Sequence, residues 1–311
     1  MIRVGIAGYG NLGRGVELAV NSAADMELAA VFSRRGLPSA VAFSNINDYI
    51  GKIDVMVLCG GSATDLPLQT PQIAAKFNFV DSFDTHQNIP EHFEAAHAAA
   101  KAGGTAGVIS AGWDPGLFSL MRLYGQAVLP EGHTETFWGE GVSQGHSDAV
   151  RRIEGVKYAT QYTVPVKGAV ERVRSGQLTE FTARQKHKRV CFVVAHENAD
   201  REKIRREIVS MPNYFEPYDT AVNFITEKEY LENHTAMPHG GFVFRSGGNS
   251  VIEYSLKTQS NPQFTASVMT AYARAVYRLS KEGVRGAKTV LDIPPSYLSP
   301  KSAAELYKEL L

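Results

Sequence analysis

The sequence predicts an α/β protein, a doubly wound parallel sheet followed by a second domain of α+β type. Three observations predict it. The chain opens on a short apolar run, Ile2 to Ala7, that turns through Gly8-Tyr9-Gly10-Asn11-Leu12-Gly13 into a helical stretch at Val16 to Val20. From there to about residue 116, apolar runs ending in small or acidic residues alternate with helical patterns, which demands right-handed crossovers. Beyond that point the segments lengthen and take on strand character. The expected division is residues 1–116, with a segment at about 262–311 returning to pack on them, and residues 117–261.

Taken in order, the first strand and its turn carry Gly8-x-Gly10-x-x-Gly13, the dinucleotide fingerprint in its strand–turn–helix context, and make the first domain Rossmann-type. Gly8 permits the turn, Gly10 lets backbone approach a pyrophosphate, and Gly13 lets helix pack close to strand. N–H groups at the helix start, where Asn11 and Leu12 stand, then face the phosphates. The second strand, Leu28 to Phe32, ends in Ser33-Arg34-Arg35. An NAD site wants a carboxylate there, and Asp25 lies before the strand, on the wrong side. Arginines grip a 2′-phosphate instead, so the expected cofactor is NADP(H). Two solvated loop arginines are the plain alternative.

Gly36 to Asn47 reads as a polar connection. Asp54 to Cys59 is the next buried strand, ending in Gly60-Gly61-Ser62-Ala63-Thr64-Asp65. Small residues there suit backbone passing close to a dinucleotide, which assigns Cys59, Gly60, Ser62, Ala63, Thr64 and Asp65 to the cofactor. Thr64 or Asp65 equally suits as a helix cap, with Pro67 in the first turn. Phe79 to Phe83 is a further strand ending at Asp84, and Ser82 and Asp84 join the cofactor set. Ile89, Phe93, Ala96 and Ala100 form one helical face closed by Gly103-Gly104. Gly107 to Ser110 is the last strand of the series and runs into Ala111-Gly112-Trp113-Asp114-Pro115-Gly116.

In the second domain a helical stretch, Leu117 to Leu129, leads to strands at Glu135–Trp138, Tyr158–Val166, Lys188–Ala195 and Thr220–Phe224. Gly168 to Val173 and Arg201 to Ile208 read as amphipathic helices. A mixed or antiparallel sheet with helices on one face leaves the other uncovered, which predicts a homodimer. Val268, Tyr272, Ala275, Val276 and Leu279 form a late helical face, and Ser299-Pro300 starts a final short helix.

Composition excludes several classes. Lys plus Arg number 32 against 32 Asp plus Glu, so neither nucleic acid nor an anionic membrane is expected as a bulk partner. No apolar run approaches the roughly 20 residues that span a bilayer. The first residues enter a strand directly, so no signal peptide is expected. Cys59 and Cys191 each lie in an apolar run and read as reduced core residues of a cytoplasmic protein. No His, Cys or carboxylate cluster has metal spacing, so no metal is expected.

Ligands of an open parallel sheet sit beyond the carboxyl ends of its strands, where Asp84, Trp113 and Asp114 are expected. Two carboxylates there can hold an ammonium group or take its proton; helix capping and loop solvation are the alternatives, and Trp113 also suits as an apolar plug. In the second domain Phe137-Trp138-Gly139 and Ser143-Gln144-Gly145-His146-Ser147-Asp148 are too polar and glycine-rich for a core. Arg189, in His187-Lys188-Arg189, is the carboxylate clamp by geometry. Thr163 sits in a strand, and Met237-Pro238-His239-Gly240-Gly241 reads as a turn. His146 and His239 also suit as ordinary loop histidines, and Asn261 before Pro262 as a helix cap.

These stretches, from Gly8-Tyr9-Gly10-Asn11-Leu12-Gly13 and Phe32-Ser33-Arg34-Arg35 through Gly61-Ser62-Ala63-Thr64-Asp65 and Gly112-Trp113-Asp114-Pro115-Gly116 to Ser143-Gln144-Gly145-His146-Ser147-Asp148-Ala149, His187-Lys188-Arg189 and Met237-Pro238-His239-Gly240-Gly241, together resemble the meso-diaminopimelate dehydrogenases over essentially the whole chain. The resemblance implies an NADP-dependent oxidative deamination of meso-2,6-diaminopimelate at its D-centre, giving L-2-amino-6-oxopimelate and ammonia, in a bacterial cytoplasm. It implies that Arg189, Thr163, His239 and Asn261 hold the distal L-centre. Asp84, Asp114, Trp113, Trp138, Gln144 and Gly145 would surround the reacting D-centre, Gln144 and Gly145 through backbone N–H groups. Asp84, Asp114 and His146 are the candidates for proton transfer, and the residues themselves do not choose among them. The two domains are expected to close over the substrate. A related NADP reductase, a broader D-amino acid dehydrogenase and a non-catalytic NADP-binding sensor are the competing readings. The polar stretches of the second half speak against the last.

Overall fold

The computed structural model of the chain describes residues 1–177 and 180–311. It begins with β1 (Ile2–Ala7), α1 (Asn11–Asn21), β2 (Met26–Ser33), β3 (Val41–Ala42), β4 (Val55–Leu58), α2 (Leu66–Ala74), β5 (Phe79–Asp81), α3 (Ile89–Gly103) and β6 (Ala106–Val108). The middle of the chain forms α4 (Leu117–Val128), β7 (His133–Trp138), β8 (Gly141–Val142), α5 (Gln144–Arg151), β9 (Val156–Pro165), α6 (Lys167–Arg174), α7 (Ala183–Lys186) and β10 (His187–Ala195). There follow α8 (Arg201–Val209), β11 (Asp219–Phe224), α9 (Glu227–Asn233), β12 (His239–Gly247), β13 (Ser250–Thr258), α10 (Asn261–Lys281), β14 (Gly286–Lys288) and α11 (Ala303–Leu310). Two units result, Met1–Leu120 with Pro262–Leu311, and Met121–Asn261.

The first unit holds a seven-stranded sheet in the order β14-β6-β5-β4-β1-β2-β3, parallel throughout. Its strands are apolar on both faces because both faces are covered. Ile2, Val4 and Ile6 of β1 and Val55 and Val57 of β4 join a cluster with Val16 and Val20 of α1 and Met269, Tyr272 and Val276 of α10. Ala7, Met56 and Leu58, pointing the other way, pack with Leu66 and Ile73 of α2 and Ala96 and Ala100 of α3. Each large side chain so buried contributes roughly 1.5–3 kcal/mol. Arg274 of α10 closes the unit with a two-armed pair to Asp25, its Nε 2.5 Å and Nη2 2.8 Å from the carboxylate.

Several details differ from the sequence reading. The series does not end with the strand near residue 108, since β14 pairs in parallel with β6. β5 stops at Asp81 and not at Phe83, because the Asp81 carboxylate takes the Phe83 N–H and bends the chain out of the ladder. The final helix starts at Ala303, where Ser302 and Glu305 form a capping box, and not at Pro300.

The second unit contains two sheets where a single one was expected. One has the order β11-β10-β9-β8 and is mixed, β10 and β11 being parallel. Val150 of α5 and Ile204 and Ile208 of α8 cover it with Ala159, Cys191 and Val193 beneath. The other has the order β13-β12-β7 and is antiparallel, with Ala169, Val170 and Val173 of α6 against Phe137 and Phe244. The β12–β13 hairpin falls where a turn at Met237–Gly241 was expected. Gly240 is not a turn residue: a Cβ there would lie 2.1 Å from the Leu256 carbonyl oxygen, so it serves close approach of strands. Among the described residues no helix is long and apolar enough to cross a membrane.

Candidate active site

The glycine turn after β1 follows from three different steric demands. Gly8 has φ +104° and lies against the Cys59 main chain, and a Cβ on Gly13 would meet the Gly8 carbonyl oxygen at 2.1 Å. A Cβ on Gly10 would meet nothing within 4 Å. Two glycines thus hold the turn to the strand and helix, and the third leaves an open approach in front of α1, which no side chain caps. That is the shape a pyrophosphate needs, with Asn11 and Leu12 opening the helix.

At the end of β2, Ser33 is buried and its hydroxyl accepts the Arg35 N–H at 3.0 Å, while Arg35 Nη2 donates to the Tyr9 carbonyl at 2.6 Å. Arg34 Nη2 pairs with Asp65 at 2.7 Å, and the other Asp65 oxygen accepts the Gly61 N–H at 2.9 Å. Asp65 therefore ties the loop of Cys59, Gly60, Ser62, Ala63 and Thr64 to Arg34 and makes no side-chain cap on α2. The Ser62 hydroxyl accepts the Asp84 N–H at 2.8 Å, joining this loop to the Ser82–Asp84 segment. Asp84 is exposed, Asp114 is half-buried, and Trp113 is buried edge-on to Phe118 with ring centroids 5.1 Å apart. The Gly112–Gly116 loop is so tight that a Cβ on Gly116 would sit 1.6 Å from the Gly112 oxygen.

In the second unit, Thr163 of β9 and Arg189 of β10 face each other across an antiparallel pair, and the Arg189 guanidinium donates to the Thr163 hydroxyl. Arg189 is 7 % exposed and lies 3.9 Å above the Tyr218 ring. Among the described residues no carboxylate pairs with it, and its Nε has no partner. Burial pulls its pKa below the ordinary guanidinium value, with Tyr218 acting against that. Two places along the same strand, His187 accepts the Trp138 N–H on Nε2 at 2.9 Å and lies tilted against the Trp138 ring. Burial, with Arg189 and Lys186 nearby, lowers the His187 pKa to about 3, so the ring is neutral.

Gln144 and Gly145 start α5, a helix to which the sequence reading assigned no element. Their N–H groups fall in its first turn, which no side chain caps. The Gln144 side chain reaches Met237 Sδ at 2.9 Å, and the Asn261 N–H donates to the Met237 carbonyl at 2.8 Å. His239 is buried in β12, and a Cβ on Gly141 would lie 2.4 Å from its Cα. Thus Gln144, His239 and Asn261 gather around one segment. His146 points its Nδ1 at the Ser143 hydroxyl, 2.8 Å away, and its ring packs against Tyr214 and Phe215. Burial, and then Arg189, lower its pKa to about 4, so it is unprotonated near neutral pH. Among the described residues no cluster of His, Cys, Asp or Glu suits a metal.

The sequence alone gives no sign of Tyr218 under Arg189, and marks His187 only as a member of the His187-Lys188-Arg189 motif. His187 was detectable, since residues two apart on a strand share a face. Tyr218 was not, because nothing local links it to a residue 29 positions earlier.

Comparison with known proteins places the chain in a family. Residues 112–260 match the family model described as the diaminopimelic acid dehydrogenase C-terminal domain. The meso-diaminopimelate D-dehydrogenase of Lysinibacillus sphaericus is 61 % identical, the alignment covering 100 % of this chain and 99 % of that protein. The C. glutamicum DAP dehydrogenase solved in complex with DAP superposes with a TM-score of 0.94 at 45 % identity, covering 100 % and 99 % of the two chains. An engineered D-amino acid dehydrogenase bound to NADP+ gives 0.89 at 43 % identity, with the same coverage. The chain belongs to the meso-diaminopimelate D-dehydrogenase family.

Proposed function

We propose that this chain catalyses the reversible, NADP-dependent oxidative deamination of meso-2,6-diaminopimelate at its D-centre, giving L-2-amino-6-oxopimelate and ammonia. The observation that carries the reading is Arg189. A buried guanidinium without an acid is costly, and a ligand carboxylate removes that cost. Its forked donors match a carboxylate bidentately, and Thr163 and Tyr218 keep the fork in place. His239 and Asn261 are assigned with them to the distal L-centre. Trp138 and the N–H groups of Gln144 and Gly145 are assigned to the D-centre carboxylate.

The first unit fits a dinucleotide, because Gly10 leaves room where Gly8 and Gly13 leave none. Gly8, Gly10, Asn11, Leu12 and Gly13 would hold the pyrophosphate and Ser33, Arg34 and Arg35 the 2′-phosphate, with Cys59 to Asp65 and Ser82 along the strand ends. When bound, NADP supplies the hydride acceptor. Asp84 or Asp114 takes one proton from the D-centre ammonium, so that the amine lone pair can assist departure of the carbon-bound hydrogen as hydride. Water replaces the nitrogen in the resulting imine, and ammonia leaves. Trp113 keeps the carbon dry. His146, neutral at working pH, is not the resting acid and is assigned to holding Ser143.

NADPH formation with meso-, LL- and DD-diaminopimelate and with simple D-amino acids, using NADP or NAD as acceptor, tests the reading. Turnover is expected with the meso isomer and NADP, and Asp114→Ala is expected to lower kcat by roughly a hundredfold or more. Equal rates with simple D-amino acids would favour a broad D-amino acid dehydrogenase. The homodimer is proposed through the second unit, where edge strand β13 exposes Val251 and Ile252; a monomer in sedimentation would remove it. Free thiols at Cys59 and Cys191 support a reducing, cytoplasmic setting.

A further inference from the structure

Asp81 ends β5 and is fully buried, yet no step above uses it. Its carboxylate has four neighbours. Oδ1 accepts the Ser110 N–H at 2.8 Å and the Phe83 N–H at 3.1 Å. Oδ2 accepts the Thr70 hydroxyl at 2.8 Å and lies 2.7 Å from His92 Nε2. The Asp81 carbonyl also takes the Ala111 N–H at 2.8 Å. About four lone-pair sites are available on such a carboxylate, so the set is filled.

The two main-chain donors are what give this cluster a bearing on chemistry. Phe83 immediately precedes Asp84, and Ser110 opens the loop that carries Asp114. Ser110 has φ +56°, a conformation a non-glycine residue adopts at a cost of about 1 kcal/mol or more. The Asp81 bond to its N–H therefore holds a backbone that would otherwise relax. His92 comes from α3 and lies flat on the Phe83 ring, with centroids 4.0 Å apart and planes 10° apart. One buried pair thus reaches the loops after two neighbouring strands.

We propose that Asp81, backed by His92, is a positioning residue that sets the placement of Asp84 and Asp114 by holding the Phe83 and Ser110 main chains. The inference rests on the roles assigned to those two acids. It touches neither substrate nor cofactor, so its effect must appear in turnover more than in binding.

Three variants separate the bond from the bulk. His92→Leu removes the donor, His92→Gln keeps a donor at similar reach, and Thr70→Val removes a hydroxyl at constant shape. Each is read for kcat with meso-diaminopimelate, KM for NADP, and amide hydrogen exchange at Phe83 and Ser110. His92→Leu is expected to speed exchange at both amides and to lower kcat about tenfold or more, with KM for NADP changed by less than about threefold. His92→Gln should restore most of kcat. If His92→Leu does not fold, Thr70→Val is judged on the same readouts, with a smaller change in the same direction. Equal losses in the Leu and Gln variants, or faster exchange with unchanged kcat, would overturn the proposal. A wild-type protein inactive on meso-diaminopimelate would instead refute the function assigned above. Exchange alone then decides the holding of the loops: acceleration in His92→Leu upholds it and unchanged rates overturn it.

Discussion

The guanidinium of Arg189 rests 3.9 Å above the face of the Tyr218 ring while its fork donates to Thr163. Ring and hydroxyl together fix a cation that no described acid neutralises, and its Nε is buried without a hydrogen-bond partner. The position is preorganised, so little side-chain entropy is lost when a carboxylate arrives.

Arg189→Ala is accordingly expected to raise KM for meso-diaminopimelate by roughly 30- to 1,000-fold, the equivalent of about 2–4 kcal/mol, with a smaller change in kcat. Tyr218→Leu removes the ring face and should raise KM by roughly 3- to 30-fold, as a desolvated cation–π contact implies. Tyr218→Phe keeps the face and should stay close to wild type. Steady-state kinetics of the three variants check this; a Phe variant as impaired as the Leu variant would show that the hydroxyl, and not the ring, supports Arg189.

The two buried histidines of the second unit make stability depend on pH in a defined window. His187 is held to about 3 and His146 to about 4, against about 6.5 in an unfolded chain. Below about 6.5 the unfolded state binds protons that the folded state refuses, so stability falls as pH falls and is fully present above about 7. Between pH 6.5 and 5 the loss approaches about 2 kcal/mol for each ring, before most carboxylates titrate. Thermal unfolding should show a midpoint that is flat above pH 7 and drops by several degrees by pH 5. His187→Gln should flatten that drop by about half. A midpoint independent of pH over this range would contradict the environments described for both rings.

How much of this was legible depended on how local each cause was. The tight turn at Gly8 and the close approach at Gly13 could be read directly, because both are set within a few residues of the glycine. Asp84, Trp113 and Asp114 could be placed because a strand reading says where its carboxyl end lies. The β12–β13 hairpin could not, since Gly240 and Gly241 signal a turn and a close strand approach equally well. Polarity hid α5, whose buried Ser147 and Val150 are few among exposed neighbours. Asp81 shows in the sequence simply as part of a strand, because its partners Thr70, His92 and Ser110 come from three other segments.

The end of β2 yields the last expectation, which concerns the choice between NADP and NAD. Arg34 is mostly exposed, its side chain at 65 %, so its pair with Asp65 adds little stability and is easily exchanged for a stronger anion. Arg35 differs, being braced by the Ser33 hydroxyl at its N–H and by the Tyr9 carbonyl at its guanidinium. A 2′-phosphate would bring more charge than Asp65 and can accept from both forks, whereas a ribose hydroxyl offers neither the charge nor the several acceptor oxygens. Arg34→Ala and Arg35→Ala should therefore each raise KM for NADP by roughly 10- to 100-fold, as loss of a charge-assisted bond worth about 1.5–3 kcal/mol implies. KM for NAD should hardly move. Asp65→Asn keeps an acceptor for the Gly61 N–H while removing the competing charge, and should leave KM for NADP unchanged or lower. Kinetics with both cofactors at two salt concentrations check the set. Parallel losses for NAD and NADP in the arginine variants would show that these side chains hold the loop and not the phosphate.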